Sequence, residues 1–411
     1  MDRFQWDLGR ELPGDRDLAL DGDGLAGCQI ALLVCGGIAA YRSPDLIRGL
    51  RKQGAQVQVY VTPEALKFVT REVLEWCSLS PVIQTLDGRA QHIEDARNVD
   101  LYLLAPATYS TLNKFALGVA DNAVTSTLAS ALGRLERGTC AVQVVPTMHG
   151  SMVNEVLRAS LARLADLGVE VVPPRPGAGK ANIPAVEELV ARTQRALAGR
   201  GGRPSLKGRR IFVTGGPTPV AVDDVRILTN RYTGRTAVAI AEAFWRAGAD
   251  VELLLSGTQI ESPSTLPTRR VADYDAYRTA CLETSADLAI FSAAVADYRP
   301  LQQQPGKLGS GEPELTLALK PTQKVVALWR QAYPEGELVS FKLESGLSDE
   351  ALVAVARDRV GDHSDLVVAN HAQGGELLLV SAGDVARCAR SDLGTALVRW
   401  YAERLETPSG A

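Results

Sequence analysis

Little in this 411-residue sequence marks a membrane, secreted or nucleic-acid-binding protein. No apolar run approaches the ~18 residues of a membrane span. The first 27 residues are polar and acidic. They lack the basic-then-apolar order of a signal peptide, and the expectation for 1–27 is a flexible N-terminal extension. A net charge of only −4 gives no bulk attraction for nucleic acid or an anionic membrane. Anionic substrates would need local basic groups and backbone N–H donors. Cysteine is sparse and scattered: Cys28, Cys35, Cys77, Cys140, Cys281 and Cys388 show no short paired spacing. That argues against a zinc site or disulfide framework and fits buried thiols in a reducing cytoplasm.

What is present is ordinary for a globular chain, 46% hydrophobic and 22% charged, with length for two or more domains. Apolar runs bounded by glycine alternate with helical-period segments, the pattern of parallel α/β domains. In the first half, strands are expected at 29–35, 57–61, 101–104, 141–145 and 169–172. Helices are expected at 39–53, around 63–79, from about Tyr109, at 151–167 and at 185–197. The proline- and glycine-rich 173–180 reads as a loop. Ala198-Gly199-Arg200-Gly201-Gly202-Arg203-Pro204-Ser205 is a glycine-rich basic linker and the clearest boundary. The second half restarts with strands at 210–214, 251–255, 288–292, 338–341, 366–369 and 376–380 and a helix at 236–247. Alternation over 314–319 predicts a hairpin across 307–319. The fold class is α/β, with two tandem Rossmann-like domains.

Ligands in such sheets bind where strands end at the carboxyl edge. Val34-Cys35-Gly36-Gly37-Ile38-Ala39-Ala40-Tyr41 is a strand–turn–helix start. Its glycines let backbone approach a phosphate at a helix N-terminus, although such turns also carry glycine for packing alone. The pattern is not G-x-G-x-x-G, and Thr62 stands after the next strand where a dinucleotide's ribose partner would be acidic. That favours a mononucleotide over NAD. In the second half, three strand ends or loops suggest a phosphate-bearing ligand: Ile211-Phe212-Val213-Thr214-Gly215-Gly216-Pro217-Thr218, Thr229-Asn230-Arg231-Tyr232-Thr233-Gly234-Arg235, and Phe291 through Asp297 to Pro300. An aspartate at a strand end is otherwise a turn cap. A lysine among glycines, as Lys307 is, is otherwise a solvated hairpin residue.

These segments, with Leu103-Leu104-Ala105-Pro106-Ala107-Thr108-Tyr109-Ser110-Thr111, Gly118-Val119-Ala120-Asp121-Asn122 and Asp365-Leu366-Val367-Val368-Ala369-Asn370, resemble the bifunctional coenzyme A biosynthesis flavoproteins (the Dfp family). The resemblance covers about residues 28 to 385. Those proteins join phosphopantothenoylcysteine decarboxylase to phosphopantothenate–cysteine ligase. It implies an FMN-binding decarboxylase-like domain at 28–198, a linker at 199–207 and a ligase domain at 208–411. The implied reactions are nucleotide-dependent condensation of 4'-phosphopantothenate with cysteine through an acyl-nucleotide, then decarboxylation to 4'-phosphopantetheine. FMN would be held by Gly36, Gly37, Ile38, Thr62, Thr108, Ser110 and Thr111. It would oxidise the cysteine side to a thioaldehyde, so that the carboxylate can leave, while His92 acts as acid or base.

Two departures bear on that half. Where the family carries asparagine in P-A-M-N-x-x-M, this chain has Pro146-Thr147-Met148-His149-Gly150-Ser151-Met152, so His149 would meet the substrate carboxylate, with Met152 kept. The family's flap cysteine has no counterpart in 172–184. In the ligase half the resemblance gives Gly215, Gly216, Pro217 and Thr218 as the triphosphate cradle and Asp297 as the reader of base or ribose. Lys307 would close over the phosphates and Phe341 would stack on the base, with Arg359 nearby. Asn230 would hold the acyl intermediate and Arg235 would meet phosphate, with Arg226 and Gly234 completing the substrate set. The nucleotide is CTP or ATP, Mg2+ is the metal with ligands unknown, and a cytoplasmic homo-oligomer is implied. Alternative readings are a ligase whose first half binds flavin or only assembles the particle, a non-catalytic flavin-binding regulatory subunit, and a generic nicotinamide dehydrogenase.

Overall fold

The computed structural model describes residues 17–177, 179–303, 305–309, 314–372 and 374–406. The chain divides between Leu197 and Ala198 into two units, each built on its own sheet. Among the described residues no helix is long and apolar enough to cross a membrane.

The first sheet runs Gln56–Val61, Gln29–Val34, Leu101–Ala107, Ala141–Pro146, Glu170–Val171, and every pair is parallel. Strand Leu101–Ala107 is buried at each position, as a strand covered on both faces must be. Alternate residues feed two cores. Ile30, Leu32 and Val34 pack with Leu46, Ile47 and Leu50 of helix Ser43–Lys52. Ala31, Leu33 and Cys35 pack on the other face with Leu112, Phe115 and Leu128 of helices Tyr109–Leu117 and Ala123–Glu136. Chain order reverses between Gln29–Val34 and Leu101–Ala107, which opens a crevice beyond their carboxyl ends.

Several expectations shift here. The helix expected at 39–53 opens as a 3-10 turn, Ile38–Arg42, before helix Ser43–Lys52 with proline in its first turn. The helix expected at 151–167 starts later, as Glu155–Asp166, where Asn154 accepts from the Leu157 N–H. The 173–180 segment is not simply a loop. Strands Arg175–Gly177 and Lys180–Asn182 pair with each other, and the second pairs antiparallel with Met148–His149. Of the extension expected at 1–27, residues 1–16 lie outside the described residues. Its last part is not loose: Asp21 and Leu25 donate to the carbonyls of Lys52 and Gln53, and Leu25 is fully buried in the first core.

The second sheet runs Thr268–Val271, Asp250–Ser256, Arg210–Gly215, Leu288–Phe291, Glu337–Glu344, Leu366–His371 as parallel strands. Leu377–Val380 and Val385–Cys388 extend it antiparallel. Phe212, Phe291 and Trp329 stack edge to face across one side, with centroids 6.3 and 5.9 Å apart. Here too chain order reverses, between Arg210–Gly215 and Leu288–Phe291. Among the described residues of 307–319, no hairpin pairing forms. Leu319–Pro321 pairs instead with Tyr298–Pro300, and residues 310–313 lie outside the described residues. The alternating Leu315 and Leu317 are 56% and 39% exposed, so their period of two has no sheet face to bury.

Candidate functional site

The first crevice begins at Gly36. A Cβ there would lie 2.2 Å from Glu64 Cβ and 2.7 Å from the Glu64 carbonyl carbon. Its N–H donates to Thr62 Oγ1 at 3.1 Å. Gly36 is therefore glycine so that two strand-end turns can touch, and Thr62 is engaged in that contact. Gly37 differs, since a Cβ would meet only Thr108 Cγ2, at 3.4 Å. Ile38 follows, 73% exposed. Across the crevice, Thr108 precedes helix Tyr109–Leu117 with extended backbone and no side-chain cap. The first-turn N–H groups, at Ser110 and Thr111, thus end the helix without a capping side chain. Cys35 Sγ and Thr108 Oγ1 each donate to Thr111 Oγ1 at 3.2 Å. Burial pushes the Cys35 thiol up, against the weaker opposing effect of its hydrogen bonds with Thr111 and Thr108.

His92 follows Gln91, which is tied to the core on that side of the sheet. Tyr60, which packs in the core with Leu33 and Cys35, makes a long bond of 3.5 Å to the Gln91 carbonyl. His92 Nδ1 is buried without a hydrogen-bond partner among the described residues. Thr147 N–H donates to the Ala107 carbonyl at 3.0 Å, bringing the Met148–His149 strand alongside Thr108. His149 Nδ1 accepts from the Ser151 N–H at 3.2 Å and lies 2.8 Å from Ser151 Oγ. It caps the turn Gly150–Met152, which leaves Nε2 as the ring nitrogen free to meet a ligand. Met152 is 40% exposed. Gly150 admits the hairpin: its N–H donates to the Gly179 carbonyl at 2.9 Å, and a Cβ would lie 2.3 Å from that oxygen. The Gly118-to-Asn122 segment proves to be a connector between helices. Gly118 ends one at φ +74°, and Asn122 begins the next with a reciprocal cap to Thr125.

The second crevice gathers most of the predicted ligase residues. Gly215 is glycine because Ala237 Cβ would be 2.2 Å away, and Gly216, at φ +84°, because Ser256 O would be equally close. Gly234, also at φ +84°, starts helix Arg235–Arg246 against Gly216. Pro217 bridges Ala294, and Thr218, fully buried, accepts from the Ala296 N–H at 2.8 Å. Asn230 Nδ2 donates to the Ala294 carbonyl at 3.0 Å and the Val295 carbonyl at 3.4 Å. Asp297 follows directly. Phe341 is half-buried one residue past the Phe291–Ser340 pair. Arg359 lies further off and acts electrostatically on Glu344, whose carboxyl is lowered chiefly by Lys342.

Lys307 is exposed, yet both its neighbours are fastened. Gly306 N–H donates to Asp224 Oδ2 at 2.9 Å, and Leu308 N–H to Asp223 Oδ2 at 3.0 Å. Asp223 Oδ1 also accepts the Val225 and Arg226 N–H groups at 2.8 and 2.6 Å, and the Arg226 guanidinium pairs with Oδ2. Burial pushes the Asp223 carboxyl up, but these bonds outweigh it and hold the group well below the usual carboxylate range. A cleft of about 620 Å3 opens beside the Val220–Ala221 and Ile227–Leu228 strands, lined by Pro219, Ala221, Ile227, Gly257, Thr258, Gln259 and Arg270 to Asp273.

Sequence reasoning missed Lys324, which pairs with Asp297 from just before helix Val325–Ala332, and Thr322, whose hydroxyl donates to the Ala296 carbonyl at 2.6 Å. Neither carries a local signal, because both act across more than twenty residues of chain.

Comparison with known proteins places both halves. A family profile described as Flavoprotein matches residues 22–198, and one described as DNA/pantothenate metabolism flavoprotein C-terminal domain matches 206–390. Coenzyme A biosynthesis bifunctional protein CoaBC of Thermococcus kodakarensis is 34% identical over 357 residues, covering 84% of this chain and 86% of the relative. The protein of the same name from Methanocaldococcus jannaschii is 29% identical over 346 residues, 83% of each. Among solved structures, the DNA/pantothenate metabolism flavoprotein from Streptococcus pneumoniae aligns at 24% identity with a TM-score of 0.45, over 48% of this chain and 100% of its own.

Proposed function

From the premise that this chain belongs to the family of coenzyme A biosynthesis bifunctional proteins, we infer that it carries phosphopantothenoylcysteine decarboxylase and phosphopantothenate–cysteine ligase activities. We assign the first to residues 28–198 and the second to 208–411, joined by 199–207. The observation that carries the reading is the paired crevice: each unit opens one at its own chain reversal, where the Gly36-Gly37 and Gly215-Gly216 turns stand at strand ends.

The first crevice suits FMN. The room left at Gly37 beside Thr108, the uncapped helix start at Ser110 and Thr111, and the unpartnered buried His92 Nδ1 support that reading. Gly37, Ile38, Thr108, Ser110 and Thr111 would hold the phosphate and ribityl chain, while Gly36 and Thr62 fix the turn behind them. FMN supplies reversible two-electron oxidation of the cysteine moiety. His92 then moves a proton beside the departing carboxylate, and His149 donates to that carboxylate from Nε2.

In the second crevice, nucleotidyl transfer to the 4'-phosphopantothenate carboxylate needs positive charge and N–H donors where charge builds on phosphorus. The Gly215–Thr218 backbone, Lys307 and Arg235 would supply them. Mg2+ would enter with the triphosphate of CTP or ATP. Asp297, paired with Lys324, and the half-buried Phe341 would read base and ribose, with Arg359 at the margin. Asn230 and Arg226, with Gly234 setting the turn, would hold the acyl-nucleotide for attack by cysteine. We place it in the cytoplasm as a homo-oligomer; the association is supported by exposed apolar residues, Leu117, Val119 and Val156 in the first unit and Val225, Ile227 and Tyr232 in the second.

The test is a mass-resolved assay of purified protein with 4'-phosphopantothenate, cysteine, Mg2+ and CTP or ATP. The expected product is 4'-phosphopantetheine. Accumulation of 4'-phosphopantothenoylcysteine would remove the decarboxylase assignment, and no conversion with either nucleotide would remove the ligase assignment.

A further inference from the structure

We propose that Asp223 is a positioning residue for the ligase reaction, a buried clasp that fixes the Lys307 loop and the Asn230 loop to one another. The proposal rests on the ligase reading of the second unit. Asp223 is 3% exposed and its side chain is fully covered. Its carboxylate takes hydrogen bonds from two segments far apart in sequence: Val225 and Arg226 on one side, Leu308 on the other.

A carboxylate is suited to this position because it is acceptor-only and has room for four donors. Arg226 closes the clasp from the other direction. Its guanidinium holds Asp223 and also donates to the Leu308 carbonyl at 3.2 Å. Asp224 adds a second rung, with its N–H donating to the Gly306 carbonyl at 3.1 Å and its carboxylate accepting the Gly306 N–H. Residues 306 and 308 are thus both tied down, and the exposed Lys307 between them projects from a fixed base.

The same turn governs Asn230. Val222 N–H donates to the Arg226 carbonyl at 2.9 Å, closing the short hairpin of Val220–Ala221 with Ile227–Leu228. That hairpin joins Thr218 to Asn230. One carboxylate therefore sets the base of the lysine that would serve nucleotidyl transfer and of the asparagine that would serve amide formation. Geometry of this kind matters because a misplacement of about 1 Å costs about 100-fold in rate.

The experiment compares wild type, Asp223→Asn and Asp224→Ala in two readouts. One is amide hydrogen exchange over residues 305–309 of the full chain without ligands. The other is pyrophosphate release with 4'-phosphopantothenate, CTP or ATP and Mg2+, before and after cysteine is added. In Asp223→Asn, exchange at Leu308 should quicken at least about 10-fold, and both nucleotidyl transfer and amide formation should slow about 10- to 100-fold in kcat. Asp224→Ala, at an exposed position that the core does not need, should quicken Gly306 with a smaller rate loss. A merely structural role would lower the melting temperature without a change confined to 305–309. Unchanged exchange in both variants overturns the clasp, and so does faster exchange with undisturbed transfer. If wild type itself releases no pyrophosphate, the ligase reading falls and the catalytic half of the proposal with it, while the exchange data still decide the clasp.

Discussion

Asn230 and His92 stand at opposite extremes of satisfaction, and their expected phenotypes follow from that. The Asn230 amide already has two carbonyl partners on the strand end that carries Asp297. Removing it should spare the Gly215–Thr218 cradle, whose own contacts run through Thr218 and Pro217. Asn230→Ala is therefore expected to keep pyrophosphate release in the first half-reaction while amide formation falls about 100- to 1,000-fold, the scale for removing one transition-state donor. A single-turnover assay that separates acyl-nucleotide from amide checks this. Retained ligation would remove Asn230 from the mechanism. His92 has a buried Nδ1 with no partner among the described residues, which a purely structural histidine rarely tolerates. His92→Asn is expected to leave ligation and flavin absorbance unchanged and slow carbon dioxide release by about 100-fold or more. Decarboxylation at the wild-type rate would show that the orphaned nitrogen serves something else.

At the scale of elements, the two neighbouring glycines of the first crevice make opposite predictions. A Cβ at Gly36 would drive into the Glu64 backbone, whereas one at Gly37 makes only a 3.4 Å contact with a threonine methyl. Gly36→Ala is expected to destabilise the flavin-free protein by about 1–3 kcal/mol, the range for overpacking. Gly37→Ala should stay within about 0.5 kcal/mol and weaken FMN binding instead. Urea midpoints of the flavin-free variants, with flavin titration of each, separate the two; equal midpoints would mean that the turn at Glu64 yields freely. The contrast also marks what was legible in the sequence. Gly36-Gly37 read as a phosphate turn, but which glycine faces a ligand depends on Glu64, 28 positions on in the chain. Strands were legible because buried parallel strands are continuous apolar runs, and their ends located both crevices. The hairpin at 175–182 was not, since its strands are three residues each and the first carries a proline. The asparagine-to-histidine change at 149 was visible, but its consequence was not: capping through Nδ1 commits one ring nitrogen and so decides which one remains free.

Across the whole molecule, the two units repeat one solution, a crevice at a chain reversal, with different polar linings, and their ionisable groups predict a shared pH response. Arg89 holds the Asp87 carboxyl down to about 2. Asp121 is lowered by Lys114, Asp349 by His371 and Arg387, and Asp223 by the clasp bonds that outweigh its burial. A carboxyl depressed in the fold contributes stability that is complete above its unfolded value near 4 and lost as pH falls toward the folded value. At the other end, burial pushes the Cys281 thiol and the Tyr401 phenol up to about 12. The folded state then binds more protons than the unfolded chain once pH passes the unfolded values of about 8.5 and 10, so stability falls there as pH rises. Exposed pairs such as Asp87 with Arg89, 51% and 79% exposed, contribute little each because water screens them, which keeps the acid limb shallow at first. The urea midpoint is therefore expected to be flat from about pH 5 to 8, falling below about 4 and above about 9. Measured at constant ionic strength, a midpoint that drifts steadily between pH 6 and 7.5 would contradict this. It would place control of the fold on one of the four histidines rather than on the carboxylates and buried acids at its two limits.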